Sequence, residues 1–254
     1  MDALTRLANA GVVPVVVLEK VEDAVPTAKA MVAGGIDVME ITFRTEAAAE
    51  SIKAVAENCP EMFVGAGTII TLDQCKQAVE MGAKFIVSPG FNRDVVAWCV
   101  EHDIAVCPGC VTPTEIMAAM ELGLKVIKFF PANVYGGLSA MKSLAAPFGG
   151  IKFIPTGGVN AQNLGEYISA PFIHAVGGSW VCPKADIAAG NWERSPSCVQ
   201  KQDAMRWATK SLMWASTALT KQLQVRWQSR WVLRSALPQR SVLPPSSPPP
   251  VWRS

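Results

Sequence analysis

Along residues 1–180, the pattern of apolar and polar positions alternates between two kinds of segment. Short runs rich in Val, Ile and Phe predict strands, and the segments between them have the spacing of amphipathic helices. The predicted strands are 12–18, 38–42, 63–68, 85–90, 104–108, 126–131, 153–157 and 173–178. The predicted helices include 23–33, 46–57, 72–81 and 94–101, and Thr112-Pro113-Thr114-Glu115 carries the signals of another helix start.

Eight strand–helix units at this short spacing favour an α/β fold of the (β/α)8 TIM-barrel type. Seven of the eight strands are nearly continuous apolar runs, as expected of parallel strands covered on both faces. An open, doubly wound sheet is the alternative fold, because periodicity alone does not show whether a sheet closes.

Polar and other unusual residues collect where the predicted strands end. In a TIM barrel the carboxyl ends of the strands form the catalytic face, so we expect these residues to share one site. They are Glu40, Arg44, Thr68, Ser88, Pro89, Lys128, Thr156 and Ser179.

Lys128 and Glu40 are the strongest candidates for chemistry, because each lies between apolar neighbours on a predicted buried strand. Removing an amine from water disfavours its charged form, and the free amine can attack a ketone. The alternative for Lys128 is a structural lysine that extends its head to water. A carboxylate such as Glu40 serves either as an acid–base group or as an ion-pair partner, here for Arg44.

Two glycine pairs follow the seventh and eighth predicted strands, where TIM barrels usually bind phosphate. They are Gly157-Gly158 and Gly177-Gly178, the second followed by Ser179. Glycines let backbone N–H groups approach phosphate oxygens closely, although they also form ordinary tight turns.

Composition indicates a globular protein without a metal centre or a disulfide framework. The chain has seven cysteines at irregular spacing and two separated histidines. Cys107-Pro108-Gly109-Cys110 has CxxC spacing, but no second CxxC or nearby histidine completes a zinc site, which favours two core thiols. No apolar run reaches membrane-spanning length, and the N-terminus lacks a signal-peptide pattern, so we expect a cytoplasmic protein.

Two long segments resemble active-site motifs of the 2-keto-3-deoxy-6-phosphogluconate (KDPG) and 4-hydroxy-2-oxoglutarate (KHG) aldolases. Segment 35–44, GIDVMEITFR, resembles the glutamate motif, and segment 123–132, GLKVIKFFPA, resembles the Schiff-base lysine motif. Four shorter segments match in the same order: GAGT at 65–68, SPG at 88–90, PTGG at 155–158 and GSW at 178–180. The resemblance covers residues 1–194.

This resemblance implies a class I aldolase in which Lys128 forms an imine with the C2 ketone and Glu40 moves protons. KDPG would yield pyruvate and glyceraldehyde 3-phosphate, and KHG would yield pyruvate and glyoxylate. The family implies a homotrimer, a phosphorylated keto-sugar acid as substrate, and neither metal nor cofactor. The implied binding residues are Arg44, Thr68 and Thr156 for the carboxylate, Pro89 and Phe130 along the wall, and Gly157, Gly158, Gly178 and Ser179 for the 6-phosphate.

The composition changes at Ser195. Residues 195–254 contain nine Lys or Arg and one acidic residue, with five of the eight Trp and seven of the eighteen Pro. Back-translating residues 194–202 and shifting the reading frame permits Ile-Thr-Val-Leu-Cys-Ala-Glu-Ala, which has helical spacing and resembles the last helix of the family. The sequence therefore predicts an aldolase domain at 1–194 and a basic, poorly ordered, frameshift-derived tail at 195–254 that replaces the final covering helix.

Four other functions stay open at this point. One is another phosphate-binding barrel enzyme, such as a decarboxylase or synthase, and another is an aldolase for the galactonate epimer. A third is a frameshift product that is catalytically impaired or misfolded. The fourth is a nucleic-acid or membrane binder acting through the basic, Trp-containing tail, which we do not favour because the tail lacks an amphipathic pattern.

We expect deletion of residues 195–254 to leave aldol cleavage undiminished, and restoration of the shifted-frame helix to raise the thermal midpoint. Burial stabilises by roughly 25 cal/mol per Å² of apolar area. Loss of a helix that covers several hundred Å² therefore lowers the free energy of unfolding by on the order of several kcal/mol. Thermal melting and cleavage rates of the chain as written, the truncation and the restored chain provide the measurement. The frameshift interpretation is wrong if the chain as written has the highest midpoint.

Overall fold

A computed structural model of the protein describes residues 2–190, in which parallel strands alternate with helices. The strands are β1 Val12–Val16, β2 Val38–Thr42, β3 Phe63–Gly67, β4 Phe85–Val87, β5 Ala105–Cys107, β6 Val126–Phe129, β7 Lys152–Pro155 and β8 Val176–Gly178. The helices are α1 Ala3–Ala10, α2 Ala24–Ala33, α3 Ala48–Asn58, α4 Leu72–Glu80, α5 Arg93–Glu101, α6 Pro113–Glu121, α7 Gly137–Ala145, α8 Leu164–Ser169 and α9 Lys184–Ala188.

The strands close into a barrel. Six of them pair in the order β5-β4-β3-β2-β1-β8, and β6 pairs with β7. Single parallel bridges complete the circuit, with Gly109 opposite Lys128 between the β5 end and β6, and Thr156 opposite Gly177 between the β7 end and β8. The TIM-barrel prediction is therefore confirmed, and the open sheet is excluded.

All eight predicted strands are present, and six of them end earlier than predicted. The strand predicted at 85–90 ends at Val87, because the hydroxyl of Ser88 donates to Gly90 O at 2.6 Å and Pro89 has no N–H. Helix α6 begins as predicted, with a capping box in which Thr112 and Glu115 satisfy each other's backbone N–H groups.

Inward and outward positions alternate along each strand and divide the core in two. Outward residues pack beneath the helices, and inward residues fill the barrel. Leu7 of α1 joins this inner cluster and closes the amino-terminal end of the barrel. The other buried members of the inner cluster are Val13, Val38, Phe85, Val87, Cys107, Val126, Ile154 and Ala175. The buried charged residues Glu40 and Lys128 lie on strands β2 and β6, outside this apolar inner cluster.

The predicted domain boundary at residue 194, the tail and the replacement of the final covering helix concern residues outside the described range, so they stay predictions. Between residues 2 and 190, no helix is long and apolar enough to cross a membrane. Across the same residues, no group of three or more His, Cys, Asp or Glu side chains is arranged to hold a metal ion.

We expect His174 to make stability depend on pH. Its ring Nε2 lies 2.9 Å from Leu4 O. This hydrogen bond links the segment just before β8 to the first turn of α1. Burial lowers the pKa of His174 below its ordinary value of 6.5, and the hydrogen bond to Leu4 opposes that shift in part. Protonation therefore opposes folding, so the free energy of unfolding falls as the pH drops from about 6.5 through the folded-state pKa.

In the His174→Gln variant the amide can still donate to Leu4 O but does not titrate. Urea unfolding at about pH 7.5 and about pH 5.5 should show a smaller loss of stability in this variant than in wild type. His102→Gln, which changes the exposed histidine after α5, is the control and should retain the wild-type loss. An equal loss in wild type and His174→Gln contradicts the prediction.

Candidate active site

Lys128 of β6 and Glu40 of β2 meet inside the carboxyl-terminal mouth of the barrel. The Lys128 Nζ lies 3.4 Å from the Glu40 Oε1. The two residues are only 4% and 3% exposed. Isolated burial of either charge is costly, and a partner of opposite charge offsets that cost. The two strongest sequence candidates therefore form one buried amine–carboxylate pair.

Strand alternation explains why these two residues point inward. On β2, Met39 and Ile41 face outward into the core beneath the helices, so Glu40 faces the interior. On β6, Ile127 and Phe129 face outward in the same way, which directs Lys128 inward. Each strand thus places a single charged side chain among apolar neighbours.

Arg44 and Thr68 form a second contact at the same end of the barrel. Arg44 Nε donates to Thr68 Oγ1 at 3.1 Å. The sequence allowed Arg44 as the ion partner of Glu40, but the structure gives that position to Lys128. Thr68 has a φ of 58°, in the left-handed region that β-branched residues rarely adopt. Such strain is concentrated at functional sites and costs about 1–3 kcal/mol.

Thr156 and the two glycines after it lie at the end of β7. The Thr156 hydroxyl is buried and has no hydrogen-bond partner, which is uncommon for a buried polar atom. Gly157 and Gly158 have φ angles of 89° and 79°. The bridge between Thr156 and Gly177 brings this segment beside β8. Both predicted glycine pairs are therefore neighbours across two adjacent strands.

Phe130 connects the buried pair to this glycine segment. Its ring centroid is 5.4 Å from Lys128 Nζ, within the range of a cation–π contact. Its Cε2 would lie 3.5 Å from a methyl group at position 157. A half-buried Phe130 thus forms a wall between the amine and Gly157.

The remaining predicted residues lie at the ends of β4 and β8. Pro89 is half-buried after β4, and its carbonyl packs so closely on Gly109 that a side chain there would collide with it. Gly178 is buried beneath the ring of Trp180, whereas Ser179 is exposed. Every residue of the predicted site therefore lies in or just after a strand at its carboxyl end.

The CxxC pair lacks the properties of reactive thiols. Burial is the main cause that raises the pKa of Cys107 to about 12, with the Glu40 carboxylate adding to the rise and Lys128 opposing it. Burial also raises the pKa of Cys110 to about 12. Reactive cysteines have depressed pKa values instead. The interpretation of two core thiols fits these values.

Sequence reasoning assigned no role to Gly67 and considered Gly177 only as part of a phosphate-binding glycine pair. Both glycines pack against proposed site residues. A methyl group at position 67 would overlap Glu40, and one at position 177 would overlap the Thr156 hydroxyl. The only signal in the sequence is the alternation of Gly65 and Gly67 on one face of a strand. Strand periodicity predicts that shared face but does not reveal which side chain covers it.

This chain is similar to known proteins in both sequence and structure. The model of the family described as KDPG and KHG aldolase matches residues 4–198. The 2-dehydro-3-deoxy-phosphogluconate aldolase of Treponema pallidum is 48% identical over 200 residues, which cover 79% of this chain and 94% of that protein. The KHG/KDPG aldolase of Escherichia coli K12 is 43% identical over 193 residues, which cover 76% of this chain and 91% of that protein.

A solved structure of the KDPG aldolase from Legionella pneumophila is similar to this one with a TM-score of 0.76 and 36% identity. The match covers 78% of this chain and 97% of that protein, which was captured with pyruvate as a covalent carbinolamine intermediate. The motifs, the barrel fold and these relatives all indicate the same family, and the chain belongs to the KDPG and KHG aldolase family.

Proposed function

We propose that this protein is a class I aldolase that cleaves KDPG to pyruvate and glyceraldehyde 3-phosphate. The observation that carries the proposal is the buried Lys128–Glu40 pair, with Nζ and Oε1 3.4 Å apart at the catalytic end of the barrel. The relatives that share most of the chain are KDPG or KHG/KDPG aldolases by name. A buried amine beside a carboxylate supplies the nucleophile and the proton carrier that this reaction requires.

Lys128 begins the reaction as a nucleophile. Its neutral amine attacks the C2 ketone to form a carbinolamine. A proton delivered by Glu40 or solvent to the carbinolamine hydroxyl leaves with it as water, which gives a protonated imine, and the final hydrolysis returns that proton. The C4 hydroxyl then loses its proton while the C3–C4 bond breaks, and the bonding electrons move into the iminium to form an enamine. Glyceraldehyde 3-phosphate leaves at this step. Protonation of the enamine at C3 and hydrolysis of the imine release pyruvate and restore the amine.

Glu40 carries the protons in these steps. Its carboxylate lies beside the Lys128 amine, where it can accept a proton from the attacking amine or from the C4 hydroxyl, directly or through water. The same group then returns a proton to C3 of the enamine. The net result is transfer of one proton from the C4 oxygen to C3, so Glu40 is regenerated in each cycle.

Other groups at the mouth hold the two ends of the substrate. The unpaired hydroxyl of Thr156, together with Arg44 and Thr68, binds the pyruvyl carboxylate. Pro89 and Phe130 line the path between the two ends. Backbone N–H groups around Gly157, Gly158 and Gly178, with the exposed Ser179, bind the 6-phosphate, since positive-φ glycines admit an anion close to the chain.

We extend the proposal to a homotrimer in the cytoplasm. Six large apolar side chains are exposed within residues 2–190, and an interface between copies would shield such groups from water. They are Ile70, Val100, Met117, Met120, Val134 and Tyr135.

Pyruvate release by the purified protein from KDPG, its galactonate epimer and KHG tests the function directly. We expect the highest kcat/KM with KDPG. A preference for the galactonate epimer would identify the alternative aldolase. Absence of pyruvate from all three, in a protein that melts cooperatively, would support a different phosphate-binding barrel enzyme.

We predict that Lys128→Ala and Lys128→Arg both abolish pyruvate release. Alanine has no amine, and arginine stays protonated and forms no imine. Borohydride reduction in the presence of pyruvate should add mass to the wild-type peptide that contains Lys128 and to neither variant. Lys142→Ala changes an exposed lysine on α7. This variant is the control and should be labelled like wild type. A label on another lysine overturns the assignment.

We predict that Glu40→Gln lowers kcat by about a hundredfold to ten-thousandfold, the usual range for acid–base help, while pyruvate binding changes much less. Glutamine keeps the shape of glutamate but does not exchange a proton at these steps. Steady-state kinetics and pyruvate titration measure the two effects. Near-normal turnover would instead make Glu40 a structural partner of Lys128.

A further inference from the structure

The side chain of Glu40 lies across Gly67, the last residue of the neighbouring strand β3. A methyl group built at position 67 would overlap Glu40 Oε1 and lie 2.5 Å from both Cδ and Cγ. Cβ atoms in real structures essentially never approach another atom within 3.0 Å. Because Cγ is affected as well as the tip, Glu40 could avoid the methyl group only by adopting a different side-chain conformation.

The backbone at position 67 does not itself require glycine. Gly67 is absent from the residues with positive φ, and it continues the regular register of β3, with Gly67 opposite Thr42 of β2. An alanine could adopt this strand conformation without strain. The missing side chain therefore matters for the space it leaves to Glu40.

We propose that Gly67 is a positioning residue that holds the Glu40 carboxylate against the Lys128 amine. Glu40 reaches Lys128 Nζ at 3.4 Å from the conformation that Gly67 permits. Proton transfer depends on placement to within tenths of an ångström to about one ångström. A displaced carboxylate would therefore lose proton transfer while the lysine nucleophile stays in place. This role rests on the proposed function, in which Glu40 carries protons.

Gly65 provides a matched comparison on the same strand. It precedes Gly67 by two residues and faces the same interior, but a methyl group there would overlap the Phe85 ring. Phe85 is fully buried in the inner apolar cluster. Gly65→Ala therefore disturbs barrel packing next to Phe85, whereas Gly67→Ala acts on the carboxylate.

The Gly67→Ala variant should separate proton transfer from imine formation. We expect kcat for KDPG cleavage to fall about a hundredfold or more, the range lost with an acid–base group, while KM changes less than about threefold. Deuterium exchange into the pyruvate methyl group, followed by NMR, should fall in parallel with kcat. Borohydride trapping of pyruvate on Lys128 should still reach completion.

A double-mutant cycle shows whether Gly67 acts through Glu40. In the Glu40→Gln background, Gly67→Ala should lower kcat by less than about threefold, because the proton carrier is already lost. Gly65→Ala should instead lower the thermal midpoint, and its kinetic effect should be additive with Glu40→Gln.

Each outcome decides one point. Near wild-type kcat in Gly67→Ala, additivity with Glu40→Gln, or an equal loss of borohydride trapping overturns the role of Gly67 while leaving an active aldolase. A wild-type protein that releases no pyruvate overturns the proposed function, and this role with it. A collapsed midpoint in Gly67→Ala, with methyl exchange per folded molecule unchanged, identifies a packing glycine and also overturns the proposal.

Discussion

The buried contact between Lys128 and Glu40 is the constraint on which the other features of the site depend. Removing two ions from water costs several kcal/mol for each, and the cost is offset only when the partners are close. Their separation of 3.4 Å requires β2 and β6, which are 88 residues apart at these positions, to face one interior. Closure of the barrel thus both offsets the cost of burial and brings the proposed nucleophile and proton carrier together.

A barrel of eight strands has room for little more than its own side chains, so long groups at the mouth require small neighbours. Among the described residues, glycine leaves such space beside Phe85, beside Glu40 and beside the Thr156 hydroxyl. The large members of these pairs come from a different strand than their glycines. Core packing and the proposed active site therefore share one feature, a glycine that leaves space for a side chain of the neighbouring strand.

Much of the fold and many features of the site could be predicted from the sequence. Apolar runs and helical spacing depend on local chain geometry. The eight strands and the helix capped by Thr112 could therefore be predicted from the sequence. Lys128 and Glu40 also stand out locally, because charges between apolar neighbours on a buried strand are costly. Strand ends were less predictable, since the Ser88 hydroxyl competes with the sheet for backbone groups.

By itself, the sequence determined the order of the elements, the charged residues that face inward and the family motifs. Only the tertiary structure decided that the sheet closes, that Glu40 pairs with Lys128 while Arg44 contacts Thr68, and that Gly67 lies against Glu40. The physical reason is that periodicity specifies which face of a strand a residue occupies. The distances between side chains on different strands depend on barrel closure and packing. These bring together residues that are far apart in the sequence.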